Sequence, residues 1–477
     1  MGRELSDRNR RWLTGELADW ETVGIISPEQ SGQILSYYVS TAEMGSRKRW
    51  LASFALAGLA ALMCGLAVLL LIGHNWQAII AGWEGMPQVL KLAAILLAVV
   101  TSHGLAVHLR VRTPWQRGSE VAFFFACFMY GAAIWLIAQV FHVDAHWPDG
   151  IWWWALGVLP VALCMDTLLV HVLLAALVGM WASSEVLGFP HMGSFWHLLP
   201  NGAYSLLLFA GLGLAWSYRK GSAWAVTLYT ALVSWWIFLQ AFGWGGFFWG
   251  REEYGVYFIA ITAPLLLIVG ENHREHRTLA RPWLFFGTLL TVGALVPLSF
   301  HDFHWDRYYG DRWVWHSPAY GFGGLLAVVL LLAAAIALLT LLEPWTEEQR
   351  RRGRFTRLTD LVRRQWMPLC LCGASVLMAF WDIAAFGTEM WGTTIIANVA
   401  MVAFAIWLMH IGLRDEQGAL FAGGVVYFVL WSILRYVDLF GEEGGMLGAA
   451  AMFFLCGLML FGLSLVWRRR KELHHVG

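Results

Sequence analysis

Long apolar runs recur along this chain, separated by short polar connections. Leu51–Gly73 and Tyr320–Leu342 are continuous examples. A membrane-spanning helix needs roughly 20 apolar residues, whereas an outer-membrane strand needs only about 10 that alternate with polar ones. The runs therefore predict an all-α, polytopic integral membrane helix bundle. The predicted spans lie near residues 51–73, 89–109, 119–140, 151–165, 167–187, 202–218, 223–243, 254–270, 282–300, 319–342, 366–386, 392–413, 417–437 and 446–467.

This pattern gives about 14 transmembrane helices, with a range of about 12–14. The range arises at Asp166 and Thr167, where a short segment containing Pro160 meets the next segment with hardly any loop. A re-entrant or tight hairpin at this point would remove two spans. The sidedness of all other helices would be unchanged, because helices are lost in pairs.

The polar segment 1–46 precedes the first apolar run. Apolar residues from Trp12 onward recur at helical spacing, and Gly24 is suited to end a helix. Ser27 and Gln30 have the spacing of a capping box at the start of a second helix. The pattern predicts a short cytoplasmic helical hairpin. Its apolar stripe would pack the two helices together, rest on the membrane surface or bind a partner.

The distribution of Lys and Arg predicts the orientation of the chain. If the N-terminus is cytoplasmic, all but five of the 32 basic residues fall on the cytoplasmic side. Basic residues are retained on that side during insertion, so both termini are expected in the cytoplasm. The five exceptions are Lys91, Arg251, Arg307, Arg312 and Arg435.

The densest basic segment divides the predicted spans into about ten and about four. We therefore predict four parts of the chain. They are the hairpin 1–46, a first transmembrane bundle 47–343, a basic cytoplasmic loop 344–365, and a second bundle with a basic tail 366–477.

Composition excludes several classes of function. Hydrophobic side chains make up 59% of the 477 residues and charged ones 13%, which is far more apolar surface than a soluble core could bury. The formal net charge is zero, so nucleic acid is not an expected partner. Membrane lipids are expected partners, together with a small-molecule or lipid-linked substrate. No phosphate-binding, zinc-protease or nucleophile-elbow motif occurs in a workable context, so no cofactor and no catalytic residue is assigned, and an enzyme is not favoured.

Two loops on the predicted outer side combine histidine with aspartate. Imidazole nitrogen and carboxylate oxygen at such short spacing can bind zinc, copper or nickel. Histidine could equally sense or pass protons, and solvated loop residues are a third reading. The candidate metal ligands are His142, Asp144, His146, His301, Asp302 and His304.

A few polar residues fall inside or at the ends of predicted spans. Ionisable groups are costly in lipid and normally face a bundle interior or a cavity. His171 is a deep example, for which a helix–helix hydrogen bond and a substrate contact both remain open. Gln139 and Gln240 share the pattern Trp-x-x-x-Gln-x-Phe. Arg435 would be neutralised by Asp438 on its own helix or by Asp382 across the bundle.

Three segments carry a resemblance to a known family. They are Trp20-x-x-x-Gly-Ile-Ile-Ser-x-x-Gln30, Gly73-His-Asn75-Trp76 and Ala138-Gln139-Val-Phe-His142. This part of the chain, roughly its first 160 residues, resembles a bacterial family of predicted membrane proteins whose N-terminal domain has no known function. His74 departs from that pattern, in which a smaller residue is expected. The resemblance implies a many-helix protein of the bacterial inner membrane, and it directs attention to Asn75, Trp76, Gln139 and His142 as outer-face binding candidates.

Three functions fit these features. The favoured one is a secondary transporter or flippase, because many spans with few internal charges suit a cavity that opens alternately to each side. A second is a non-catalytic sensor or assembly factor, in which outer loops detect a condition and the hairpin reports it. A third is a membrane enzyme acting on a lipid-linked substrate. The candidate binding residues are Asn75, Trp76, Gln139, His142, His171, Gln240, Asp382 and Arg435.

Overall fold

The computed structural model divides the chain into two compact units, Met1–Asp144 and Ala145–Gly477. The description that follows is confined to part of each unit. The described residues are 7–36, 63, 86–112, 116–143, 146–188, 193–194, 199–249, 252–273, 277–300, 318–342, 354–384, 391–414, 418–440 and 457.

The first unit begins with the predicted helical hairpin. Helices α1 (Asp7–Thr22) and α2 (Pro28–Ser36) pack against each other and bury Leu17. Gly24 lies in the turn with a φ of 75°, which glycine adopts without strain. Ser27 N donates to Gln30 Oε1 at 2.9 Å, and Gln30 N donates to Ser27 Oγ at 3.2 Å. This is the reciprocal capping box that the sequence predicts.

Two long helices follow in the same unit. α3 spans Gln88–Arg112 and α4 spans Gln116–Val140, and they pack against each other. Large apolar side chains such as Val89 and Val100 remain exposed on α3. A helix that is apolar on its outside is suited to a lipid environment rather than to water.

The described part of the second unit is also helical, apart from a pair of two-residue antiparallel strands, Gly193–Ser194 (β1) and Leu199–Pro200 (β2), and the connecting turns. A 3₁₀ turn lies at Glu252–Gly255. The helices are α5 (Trp147–Met165), α6 (Leu168–Gly188), α7 (Ser205–Lys220), α8 (Ala223–Trp249), α9 (Val256–Thr262), α10 (Pro264–Asn272), α11 (Arg277–Leu298), α12 (Pro318–Leu342), α13 (Arg354–Arg364), α14 (Trp366–Ala384), α15 (Trp391–Arg414) and α16 (Gly418–Phe440).

Helix α8 is the central element of this unit. It packs against α6, α7, α9, α11 and α12, and α9 in turn contacts α14. Gly255, the last residue of the 3₁₀ turn, packs directly against the backbone of α8, since a Cβ there would overlap the backbone of Ala241. Such close approach of backbones through small residues is typical of helices packed within a membrane.

Ten helices among the described residues are long and apolar enough to cross a membrane. They confirm a polytopic helix bundle, but not the predicted count of about 14. Helix α7 has 16 residues, and α9 and α10 form a shorter apolar helix interrupted at Pro264. Except for Met63 and Gly457, the predicted spans 51–73 and 446–467 lie outside the described residues.

The region around Asp166, where the sequence allows either two spans or a re-entrant hairpin, forms two separate helices. α5 ends at Met165, Asp166 adopts a left-handed conformation with a φ of 52°, and α6 begins at Leu168. The two helices pack against each other as an antiparallel pair. A single residue in the left-handed region is therefore sufficient to reverse the chain between them.

Helices on the two sides of the basic segment 344–365 are in contact. α14 packs against α9 and α12, and α15 packs against α11. The helices that the sequence analysis assigned to a first and a second bundle therefore share packing surfaces within one compact unit.

Candidate functional site

Several polar side chains in the described part of the second unit lie near the ends of helices. We define the predicted outer end as the end at which α5, α7, α9, α12 and α15 begin and α6, α8, α11, α14 and α16 end. At this end the described residues form four polar groupings, each linking elements that are distant in the sequence.

The first grouping, here called the carboxylate cluster, comprises His146, Asp149 and Glu185. One potential ligand atom from each lies within 4.8 Å of the others. His146 precedes α5, Asp149 lies in its first turn, and Glu185 lies in the last turn of α6. Glu185 Oε1 is 3.0 Å from His146 Nε2, and Glu185 Oε2 accepts a 2.8 Å hydrogen bond from Asn201 Nδ2. Two helices and the segment after β2 therefore hold this cluster.

The second grouping surrounds the backbone carbonyl of Gly202. Trp236 Nε1 donates to this oxygen at 2.7 Å and Gln240 Nε2 at 3.0 Å. A Cβ at Gly202 would lie 2.5 Å from the Tyr204 ring and 2.6 Å from Gln240 Oε1, so the position has room only for glycine. Gln240 is fully buried, and its Oε1 has no hydrogen-bond partner among the described residues.

The third grouping joins α9 to α14. The Tyr257 hydroxyl donates to Asp382 Oδ2 at 2.7 Å. Tyr257 is buried, whereas Asp382 is half-buried. Phe258, the next residue of α9, packs against Trp236 of α8 at a ring-centroid distance of 6.1 Å. The second and third groupings are therefore connected through one aromatic contact.

The fourth grouping, here called the arginine network, comprises Ser299, Asn398, Trp431 and Arg435. Arg435 Nη2 donates to Ser299 Oγ at 3.3 Å, and its guanidinium lies 4.5 Å from the ring centroid of Phe300. Asn398 Nδ2 donates to the Ser299 carbonyl at 3.0 Å, and Trp431 Nε1 donates to Asn398 Oδ1 at 2.8 Å. The network joins α15 and α16 to the residues that follow α11.

His171 lies near the opposite end of the unit and is fully buried. Its Nδ1 is 2.6 Å from the Tyr229 hydroxyl. Trp216 and Trp224 enclose the imidazole, with ring-centroid distances of 4.3 Å and 5.6 Å. The helix–helix hydrogen bond that the sequence analysis considered for His171 is therefore present.

The structure places the other predicted binding residues as follows. Gln240, Asp382 and Arg435 are at the predicted outer end, each with a different hydrogen-bond partner. Gln139 and His142 belong to the first unit, where both are exposed. The residues outside the described ranges are Asn75, Trp76, Asp144, His301, Asp302 and His304.

Of the six metal candidates, His146 has two further candidate ligands beside it. These are Asp149, which the sequence places in the same His- and Asp-containing outer loop, and Glu185, which the sequence analysis did not select. Glu185 had a usable signal, because it is the only charged residue in Leu168–Gly188. A carboxylate in an otherwise apolar span requires a partner. Asn398 and Ser299 carried no comparable signal, since neutral polar residues are common in membrane helices.

Residues 18–171 match the model of a family described as predicted membrane protein (DUF2157), of unknown function. This match confirms the resemblance drawn from the N-terminal hairpin and from the segments that follow the first and third predicted spans. No curated protein and no solved structure matches the chain. The findings therefore describe a membrane protein with many apolar helices, and they assign it no activity.

Proposed function

We propose that this protein is a secondary transporter or flippase-like protein of the bacterial cytoplasmic membrane. The substrate would be a polar small molecule or the polar part of a lipid-linked compound. The proposal is supported by the ionisable and amide side chains that lie inside an apolar helix bundle. In a membrane such groups usually mark a path for a polar substrate.

The observation that carries the proposal is the position of Arg435. Its side chain is buried, with a relative exposure of 6%, in a helix that is apolar enough to span a membrane. Arg435 is the last residue of the candidate span Gly418–Arg435, and a cation buried there, away from the interface, requires compensating partners. Arg435 donates a hydrogen bond to Ser299, which in turn accepts one from Asn398 of α15. These contacts hold the guanidinium inside the bundle and away from the interface.

The neighbours of Arg435 are suited to a site that can be occupied by an anionic group. Ser299, Asn398 and Trp431 contribute a hydroxyl, an amide and an indole N–H. The planar guanidinium is matched to carboxylate and phosphate groups, with which it forms paired hydrogen bonds. The substrate class favoured by this geometry is therefore a carboxylate or a phosphate-containing headgroup.

Transport can be tested in liposomes that contain the purified protein. One arm follows a fluorescent phosphatidylglycerol whose outer-leaflet molecules are bleached by dithionite, which reports flipping. The other follows uptake of an isotope-labelled extract of soluble metabolites under an imposed pH gradient. We expect activity in one arm, and its loss in Arg435→Gln.

Arg363→Gln is the matched control for that variant. Arg363 lies in the last turn of α13, at the opposite end of the unit, and its side chain is exposed. We expect this variant to keep full activity. If the wild-type protein elutes as a folded species and is inactive in both arms, the transport proposal is wrong. Equal activity of Arg435→Gln and the wild type would exclude the arginine network as the substrate site.

A sensor or assembly factor is the second candidate, and the N-terminal hairpin favours it. Trp12 is 63% exposed and Ile25 is 66% exposed on this small helical pair, which leaves apolar surface for a partner. Deletion of residues 1–46 distinguishes the two candidates. A transporter whose path lies in the bundle would keep its activity in liposomes. A sensor would instead fail to complement a deletion strain although its bundle is still inserted.

Both proposals place the two termini in the cytoplasm. The support is the asymmetric distribution of Lys and Arg, including Arg354–Arg364 in α13. Fusions of green fluorescent protein to either terminus should be fluorescent, and fusions of alkaline phosphatase should be inactive. Opposite behaviour of the two termini would contradict this topology.

A further inference from the structure

The carboxylate cluster at the predicted outer end of α5 and α6 has the features of a metal site. His146, Asp149 and Glu185 come from two helices, and their ligand atoms converge within 4.8 Å. The separation of 3.0 Å between His146 Nε2 and Glu185 Oε1 is close to the value of about 3.3 Å expected for two ligands on one tetrahedral zinc ion. This pair of donors therefore has a spacing compatible with coordination, and the Asp149 carboxylate lies within 4.8 Å of both.

Glu185 is held in a fixed orientation. It is 8% exposed, and its second oxygen accepts the hydrogen bond from Asn201 Nδ2. The same Asn201 nitrogen also donates to the Glu185 backbone carbonyl at 3.3 Å. Metal-binding carboxylates are typically oriented in this way by a hydrogen bond from a residue outside the coordination sphere. Asn201 thus has the role of an orienting residue.

The charge of the cluster also favours a cation. Two carboxylates lie beside one imidazole, and Glu185 is almost removed from solvent. Burying a carboxylate is costly unless its charge is balanced. A divalent ion bound by the three donors balances both negative charges. Neither His146 nor Asp149 is buried, which leaves a path for an ion to enter.

We propose that His146, Asp149 and Glu185 bind a divalent transition-metal ion, zinc in the first instance. One nitrogen and two oxygen donors suit zinc, whereas calcium and magnesium prefer oxygen ligands alone. Three protein ligands leave a fourth position open for water or for a group of a substrate. This site is independent of the transport proposal, which depends on the arginine network.

The test measures binding of zinc to the full-length protein in detergent after chelator treatment. Dialysis against buffered zinc, followed by elemental analysis, gives the stoichiometry and the affinity. We expect one tight zinc ion per chain whose affinity falls about a hundredfold in His146→Ala and Glu185→Gln. Asn201→Ala should weaken binding by about tenfold, because it removes only the orienting hydrogen bond.

Two further variants separate a binding defect from a folding defect. Asp149→Asn changes a side chain that is not buried, and it should weaken zinc binding without lowering the unfolding temperature of the metal-free protein. His410→Ala is the matched control, since His410 is an exposed histidine near the end of α15, at the opposite end of the second unit, and it should bind zinc as the wild type does.

Cobalt absorption provides a second measurement. Cobalt in the wild-type protein should give the visible bands of a four-coordinate nitrogen and oxygen site, and Asp149→Asn should change them. The proposal fails if the wild type binds no zinc. It also fails if the zinc that binds is unaffected by His146→Ala, Asp149→Asn and Glu185→Gln, because the ion would then lie elsewhere.

Discussion

The close packing of α15 against α16 can be tested at two adjacent glycines of α16. A Cβ at Gly424 would lie 2.8 Å from Met409 Cγ, 2.9 Å from the Ala405 carbonyl oxygen and 2.9 Å from Met409 N. A Cβ at Gly423 would have no atom of the described residues within 4 Å. Gly423→Ala and Gly424→Ala therefore make the same chemical change on one helix in opposite surroundings.

The expected difference follows from these distances. Replacing glycine by alanine within a helix favours the helix by about 1 kcal/mol in water. That gain is common to both variants and cancels when they are compared. At Gly424 two of the three close atoms belong to the backbone of α15, so they cannot rotate away. Overpacking of this kind costs about 1–3 kcal/mol, and we expect Gly424→Ala to be less stable than Gly423→Ala by this amount.

The free energy of unfolding can be measured by titrating each variant with sodium dodecyl sulfate in mixed micelles. Far-ultraviolet circular dichroism and tryptophan fluorescence should give coincident transitions, which is the requirement for a two-state analysis. Equal stability of the two variants would refute the reasoning, because it would mean that α15 and α16 do not approach closely at Gly424.

Two further substitutions test local features of the structure. Ser27→Ala removes the capping box and should destabilise the hairpin by about 1 kcal/mol, seen as faster amide exchange in residues 28–36; unchanged exchange would contradict the cap. Tyr229→Phe leaves His171 Nδ1 without its 2.6 Å partner and should lower the free energy of unfolding by about 1–3 kcal/mol, whereas an unchanged value would show that this hydrogen bond is not formed.

The helices were predictable because lipid imposes a simple length requirement. The apolar run near 223–243 corresponds to α8 at Ala223–Trp249, and the run near 392–413 corresponds to α15 at Trp391–Arg414. The capping box was predictable for a related reason. It depends on two residues three positions apart, so the sequence alone contains both partners.

The environment of individual polar residues was not predictable in this way. Gln139 and Gln240 share a local pattern, yet Gln139 is exposed in the first unit and Gln240 is fully buried in the second. Gln240 donates a hydrogen bond to the carbonyl of Gly202, which lies 38 positions away in the sequence. Partners at such separations are determined by helix packing, which a local pattern does not specify.

The same limit explains the carboxylate cluster. His146 was selected because aspartates lie close to it in the sequence, but the buried carboxylate that contacts it belongs to Glu185, 39 positions away. Glu185 was not selected in the sequence analysis, although it is the only charged residue in Leu168–Gly188. It is 8% exposed, and the cost of burying its carboxylate is visible only once the helices are packed.

Residues 201 and 202 connect the carboxylate cluster to the interior of the bundle. Asn201 holds Glu185 through its side chain, and the next residue, Gly202, holds Gln240 and Trp236 through its carbonyl. An ion bound by Glu185 would therefore restrain residues 201 and 202, and with them the hydrogen bonds that Trp236 and Gln240 of α8 donate to Gly202. If the metal site and the transport activity are coupled, zinc removal should change the transport rate in the wild type but not in Glu185→Gln. A transport rate that is insensitive to zinc in both would show that the two sites act separately.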